Sequence, residues 1–413
     1  MQQQWIRYGI LVLLLALAIS GAQGATIVVA PSGGDVTALQ PAVDAASPGD
    51  TIEVMAGTYA GDVVVRTPVS IIGTEGAIVG RSGDGAALII EADNVTVRAI
   101  TCKGPEFGII FDATSGSSVR ECRITSGDTG ILLSGCTDCS ISDTSIITGK
   151  SGLVIGSSAR TVVEEVRITG GVTGIVIRDS DTFALRQTAL IGCDIGIVAD
   201  RAGNGTLEGT TLTDVGAGFL GMGITDTLIT GSTVSGVIQY LQMFNALGCR
   251  VEAPAMQGPD YFTADVFSDT EYASGPWTVS GWNYALTGET YAAPEGYLQF
   301  GDALHVTIIG DARSETSPFI VMEAEVAAGD LEGYDPATFG FYHIDGAEPV
   351  PAGGAPVVTG GQVSASATGT AEGSYALLVR TEAAGFDWYY LLMGILAGIV
   401  VLLIYLVFVW RRD

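Results

Sequence analysis

Two cysteines stand in the run Cys136-Thr137-Asp138-Cys139. A C-x-x-C spacing can grip a metal through thiolates or cycle between dithiol and disulfide. Three carboxylates, Glu121, Asp143 and Glu165, recur at steps of 22 residues. Stacked in a repeating structure, such a row offers oxygen ligands to Ca²⁺. Asn94-Val95-Thr96 and Asn204-Gly205-Thr206 read as acceptor sequons for N-glycosylation. The chain has only two histidines, His305 and His343, and two lysines, Lys103 and Lys150.

Acid–base chemistry on a polymer needs clustered carboxylates with His, Lys or Arg to move protons or hold developing charge. Between residues 50 and 250 there is no histidine, and no paired-Asp run. The sequence therefore nominates no catalytic residue. It nominates no resident metal or cofactor either, apart from the Ca²⁺ candidate Glu121, Asp143 and Glu165. What these residues can do depends on the elements that place them.

The chain is 413 residues long, with 45 Asp and Glu against 18 Lys and Arg, a net charge of −27. That field repels nucleic acid and anionic lipid surfaces. Glycine is abundant at 57 residues, yet 47% of residues are apolar, too many for a disordered chain. Glycine with β-branched residues points to short strands and tight turns.

Both ends carry targeting signals. Residues 1–24 read as a secretory signal peptide: Arg7, an apolar run over Tyr8–Ile19, then small residues. Trp388–Trp410 is uncharged, has aromatics at both ends and is followed by Arg411 and Arg412. These features predict a single membrane-spanning helix with its C-terminus in the cytoplasm and the N-terminal ectodomain outside.

The middle of the chain is periodic. Gly108, Gly130, Gly152, Gly174, Gly196 and Gly218 are each 22 residues apart. Val97, Val119, Ile141, Val163, Leu185, Leu207 and Ile229 keep the same step, as do Cys102, Ile124, Ile146, Ile168, Leu190, Leu212 and Val234. Apolar residues alternate within each copy, which is strand periodicity. No segment is long enough for a crossover helix, so each strand must stack on its counterpart in the next copy. This predicts an all-β, right-handed parallel β-helix of 22-residue coils. About nine coils between residues 50 and 250 would make a rod about 43 Å long. Gly236 arrives four residues early, so the last coil, Ser235–Arg250, is expected to break register.

In this frame the carboxylate row occupies one exposed corner, next to Arg120, Arg123 and Arg167, which would offset its charge. The two sequons are 110 residues apart, five periods, and should share another corner. Cys136 and Cys139 bracket the corner that holds Thr114 and Ser117, Ser158 and Thr161, or Ala202 and Gly205 in other coils. Small residues belong there. A zinc site is disfavoured because four ligands cannot converge, while a Cys136–Cys139 disulfide remains a candidate outside the cell.

Open β-helix ends expose unpaired strand edges. "DVTALQPAVDAASPGD" (Asp35–Asp50) places Leu39, Ala42, Val43 and Ala46 at helical spacing, with Asp35 or Thr37 to cap it and Pro48-Gly49 to stop it. "LQPAVDAASPGDTIEVMAGTY" followed by "PVSIIG" resembles the opening of pectin-lyase-like right-handed parallel β-helix proteins. The resemblance implies the fold, and that fold hosts unrelated activities. Some relatives are polysaccharide lyases and hydrolases. The rod is also similar to accessory proteins of nitrous oxide reductase copper assembly, which implies copper handling through His, Met or Cys clusters.

"VEAPAMQGPD" (Val251–Asp260) reads as a linker. Beyond it the period is lost and aromatics cluster. "LHVTIIG", "FIVMEAEV", "FGFYHIDG" and "SYALLVRT" predict a smaller antiparallel, sandwich-like β-domain. "FYHIDG" with "GSYALLV" is similar to modules near the membrane anchor of archaeal surface proteins. The expected organisation is a signal peptide (1–24), a β-helix domain (25–253), a β-domain (260–385) and a membrane helix (388–410). The expected role is structural, adhesive or glycan-binding at the cell surface, with an envelope glycan or surface protein as partner. The alternatives are a displayed polysaccharide lyase or hydrolase, and a copper-maturation accessory protein.

Overall fold

Twenty-two residues accommodate three short strands and three corners. In the computed structural model the chain winds in this way. The structure describes residues 24–381 except 81–82, 253–254, 258–262, 267–269, 275, 283, 290, 302, 309–318, 347 and 370–372. The expected signal peptide and membrane helix lie outside the described residues. Among these, no helix is long and apolar enough to cross a membrane.

Each coil gives one strand to each of three parallel sheets. In one coil, Ser118–Arg120 lies in sheet 1, Arg123–Ser126 in sheet 2 and Thr129–Ser134 in sheet 3. The strands pair in register with their 22-residue counterparts: Val97, Val119 and Ile141 in sheet 1, Cys102, Ile124 and Ile146 in sheet 2. These inward columns are buried and form the core. Sheet 2 has ten strands, so the rod has about ten coils.

The glycine column has a steric cause. A Cβ on Gly130 would lie 2.4 Å from the Gly152 carbonyl oxygen, and one on Gly152 would lie 2.7 Å from that of Gly174. From Gly108 to Gly218, consecutive coils approach too closely along this column for a side chain. The corners use left-handed backbone instead. Glu121, Asp143 and Glu165 sit at φ 57°, 49° and 53°, a region in which Asp and Asn are enriched.

The N-terminal cap is present but shorter than expected. The helix runs Leu39–Ala45 and buries Leu39, Ala42 and Val43 against the first strands. Its N-cap is Ala38, with no side-chain cap hydrogen bond. Asp35 accepts a hydrogen bond from the Val28 amide instead. The carboxylate of Asp50 accepts from the amides of Ala25 and Ser47, which ties the helix exit to the first strand.

Two expectations fail after residue 235. The register does not break there: Gln239–Phe244 continues sheet 3 in 22-residue step, and Tyr240 takes the place of the glycine. Val251 pairs with Ile229, and Met256 with Val234. The expected linker is therefore largely strand, Cys249–Glu252 and Ala255–Gln257. Sheet 2 ends at Ala255–Gln257, while sheets 1 and 3 run on. They pass through one more parallel pair each and then turn antiparallel, sheet 1 through Trp277–Trp282 and Phe319–Ala327, sheet 3 through Tyr284–Glu289, Ala303–Ile308 and Gly373–Arg380. Val279, Leu286, Val306, Met322 and Leu377 continue the same core.

Candidate functional site

The thiol pair lies inside the rod. Cys136 and Cys139 are 0% and 2% exposed, and both sulfurs are free thiols. Each thiol affects the ionisation of the other. The Thr114 hydroxyl lies 3.7 Å from each sulfur, and the Cys136 amide donates to the Ser158 hydroxyl at 3.0 Å. The interaction between the two thiols makes the first proton of the pair easier to lose, lowering Cys136, and the second harder, raising Cys139. One coil on from Cys139, the buried Thr161 hydroxyl has no hydrogen-bond partner among the described residues. Cys102 and Cys122 also face the interior, where burial pushes Cys122 up to about 11.

The corner row resolves into two parts. Glu121 accepts from Arg98 Nε at 2.8 Å. Asp143 and Glu165 sit together, and their contact holds the Glu165 carboxyl above its usual value. Among the described residues no three His, Cys, Asp or Glu side chains are placed to hold a metal ion. Nor do the neighbouring arginines pair as expected: Arg120, Arg123 and Arg167 form no ion pair among the described residues.

Sequence reasoning missed the pairing that does occur. Arg160 holds Asp138 at 2.6 Å, Arg201 holds Asp179 at 2.7 Å, and Lys150 holds Asp128. Each pair is separated by one coil, so the 22-residue period was the available signal.

The sequons share a corner, as the period required. Asn94 and Asn204 are exposed at φ 55° and 50°, and Asn204 Nδ2 donates to Asp181 at 2.7 Å. Both histidines flank the strand Gly373–Arg380. His305 Nδ1 lies 2.9 Å from the Ser374 hydroxyl. His343 Nε2 lies 3.0 Å from Asp345, above Gly373, and packs edge-on against Tyr375. Ser374 and Tyr375 point to opposite faces of one strand, so the histidines do not converge.

Sheet 2 presents a different surface. None of its ten strands contains an Asp or Glu, although the chain holds 45 of them. Its outer positions are Thr, Ser, Ala, Ile, Gly, Gln, Arg and Lys, with Thr211 and Thr213 stacked on Thr233 and Ser235.

Three parallel sheets wound in 22-residue coils define the class: the chain is a parallel β-helix repeat protein. Residues 65–240, less than half of the chain, match the family described as periplasmic copper-binding protein (NosD). No curated protein matches the chain. Among solved structures, an alginate lyase from Paenibacillus sp. str. FPU-7 is similar at 19% identity and TM-score 0.49, over 57% of this chain and 96% of that one. A hyperthermoactive exopolygalacturonase from Thermotoga maritima gives 8% identity and TM-score 0.43 over 55% and 83%. A family 28 exopolygalacturonase from Yersinia enterocolitica gives 11% and 0.44 over 61% and 77%.

Proposed function

We propose that this is a cell-surface β-helix protein of the envelope. It is held by one C-terminal membrane helix, with the rod outside, and its role is structural, adhesive or glycan-binding. The observation that carries the reading is the outer face of sheet 2. Its strands hold no carboxylate, and stacked hydroxyls such as Thr211, Thr213, Thr233 and Ser235 line it. Hydroxyl ladders suit the polar edge of a sugar chain, and no convergent acid and base accompanies them. The test is to incubate the purified protein with a panel of acidic and neutral polysaccharides. Retention without turnover, weakened by Thr213→Val, supports the reading. Release of unsaturated or reducing ends, abolished by changing Glu121 or Asp143, would establish the enzymatic alternative instead.

A second reading has one observation in its favour. The match to the copper-binding family spans Cys136 and Cys139, whose sulfurs both lie 3.7 Å from the Thr114 hydroxyl. Two thiolates suit Cu(I). Titration against a chromophoric Cu(I) chelator should then show one ion per chain, lost in the Cys136→Ser, Cys139→Ser double variant. No uptake dismisses this reading.

A further inference from the structure

The outer face of sheet 3 carries an uninterrupted aliphatic stripe. Ile89, Ile110, Leu132, Val154, Val176, Val198 and Leu220 stack in register along the rod. The inward residues of the same strands, such as Ile109 and Phe111, are fully buried, whereas the stripe is half-buried, with Val176 and Val198 at its centre 8% and 9% exposed. One rim of the face carries Asp112, Ser134, Gly156, Arg178, Asp200, Met222 and Phe244, again in register. Met222 and Phe244 are large, apolar and 38% and 36% exposed. An apolar centre with a charged rim is the anatomy of an interface.

We propose that sheet 3 docks a second copy of this chain, with the rods antiparallel about a two-fold axis running along the strands between Thr173–Arg178 and Ile195–Asp200. Such an axis exchanges coils on either side of itself and keeps each column facing its own counterpart. Val176 then meets the partner's Val198, and Val154 meets the partner's Leu220. Arg178, which has no ion pair among the described residues, meets the partner's Asp200, a carboxylate that within its own chain also takes a hydrogen bond from Arg201 at 2.9 Å. Met222 lies over the partner's Gly156, and Phe244 over the partner's Ser134. The two exposed apolar side chains of the rim thus fall on its two smallest positions. Space above Gly156 is open: the nearest atom to a Cβ there is 3.8 Å away.

A parallel arrangement, with the axis along the rod, fails on charge. It would set the rim carboxylates Asp112 and Asp200 over the partner's Phe107 and Ile195. Six strands of six residues, from Thr129–Ser134 to Gln239–Phe244, overlap in the antiparallel form. They cover about 1,100 Å² in total, just above what a specific interface requires. The isologous contact repeats every pair twice. The rods' C-terminal ends point in opposite directions, which matches contact between two facing surfaces. The proposal does not depend on the membrane anchor or on a glycan ligand.

Salt screens both these ion pairs and the repulsion between two chains of −27, so the test exchanges charges at fixed salt. Sedimentation velocity of the purified full chain, across a concentration series with any detergent density-matched, should show a reversible dimer. Gly156→Gln fills the rim notch and should raise the dissociation constant about tenfold or more, with an unchanged melting temperature. Arg178→Asp should weaken the dimer to a similar degree. Adding Asp200→Arg to it should restore association. A monomer at every concentration overturns the proposal. So does a dimer indifferent to Gly156→Gln and Arg178→Asp, or a charge exchange that restores nothing.

Discussion

Glu121 takes its hydrogen bond from Arg98, 23 residues earlier, at 2.8 Å, and not from the adjacent Arg120 or from Arg123. In a stacked coil the neighbour along the rod is closer to a side chain than the neighbour along the chain. The Arg98 and Glu121 side chains are 41% and 42% exposed, so water screens the pair strongly. A double-mutant cycle with Arg98→Ala and Glu121→Ala should give a coupling no larger than the error of the measurement. A coupling several times larger would mean that the corner is drier than its exposure indicates.

The glycine column should tolerate nothing. Gly152→Ala places a methyl 2.4 Å from Ile168 Cγ2 and 2.7 Å from the Gly174 oxygen. It should cost about 2–3 kcal/mol. Gly156→Ala, four residues on, meets only open space and should change stability by less than about 0.5 kcal/mol. Denaturant unfolding of both variants compares them directly. Equal effects would show that the coils can move apart.

Two corner carboxyls should titrate in opposite directions. Contact with Asp143 raises Glu165, whereas Arg160 lowers Asp138. A raised carboxyl opposes folding once ionised, so its penalty fades as pH falls through its folded value. A lowered one contributes stability above its unfolded value and loses it as pH falls through the folded value. Side-chain carboxyl NMR should find Glu165 above and Asp138 below their usual ranges. Asp143→Asn should bring Glu165 back down, and Arg160→Ala should bring Asp138 back up. If neither variant moves its target, these contacts do not form in solution.

Six free thiols should react with iodoacetamide after unfolding without reductant, and none in the folded protein, because all six are buried. Intact mass reads both results. Two missing additions, mapped to the peptide holding Cys136 and Cys139, would show that this pair has oxidised to a disulfide.

The rod was legible because its columns each demand a residue class. Inward positions need aliphatic side chains, and the glycine bend needs no side chain at all. The end of the rod was misread for the same reason: the glycine column stops at Tyr240, while the inward columns continue through Ile229 to Val251. The helix cap was also misplaced, since Asp35 and Asp50 spend their carboxylates on backbone amides across the chain. At the candidate site, the small residues at equivalent corners placed Cys136 and Cys139 at a corner of the coil. Their burial and their approach to Thr114 were not legible, because these depend on how the corner packs and on side-chain rotamers. The ion pairs were hidden by the habit of looking for partners nearby in sequence.

The continuation of sheets 1 and 3 past the last coil bears on self-association in the heat-stressed or crowded protein. A solenoid that simply stopped would offer three raw edges to any other strand. Here two of those edges are handed on to Val357–Thr359 and Val350–Pro351, strands of three and two residues. The second ends in a proline, which cannot donate to a ladder. Runaway edge-to-edge growth, the route from a folded β-helix to a fibre, is thereby limited at the C-terminal end to footholds too short to template a sheet.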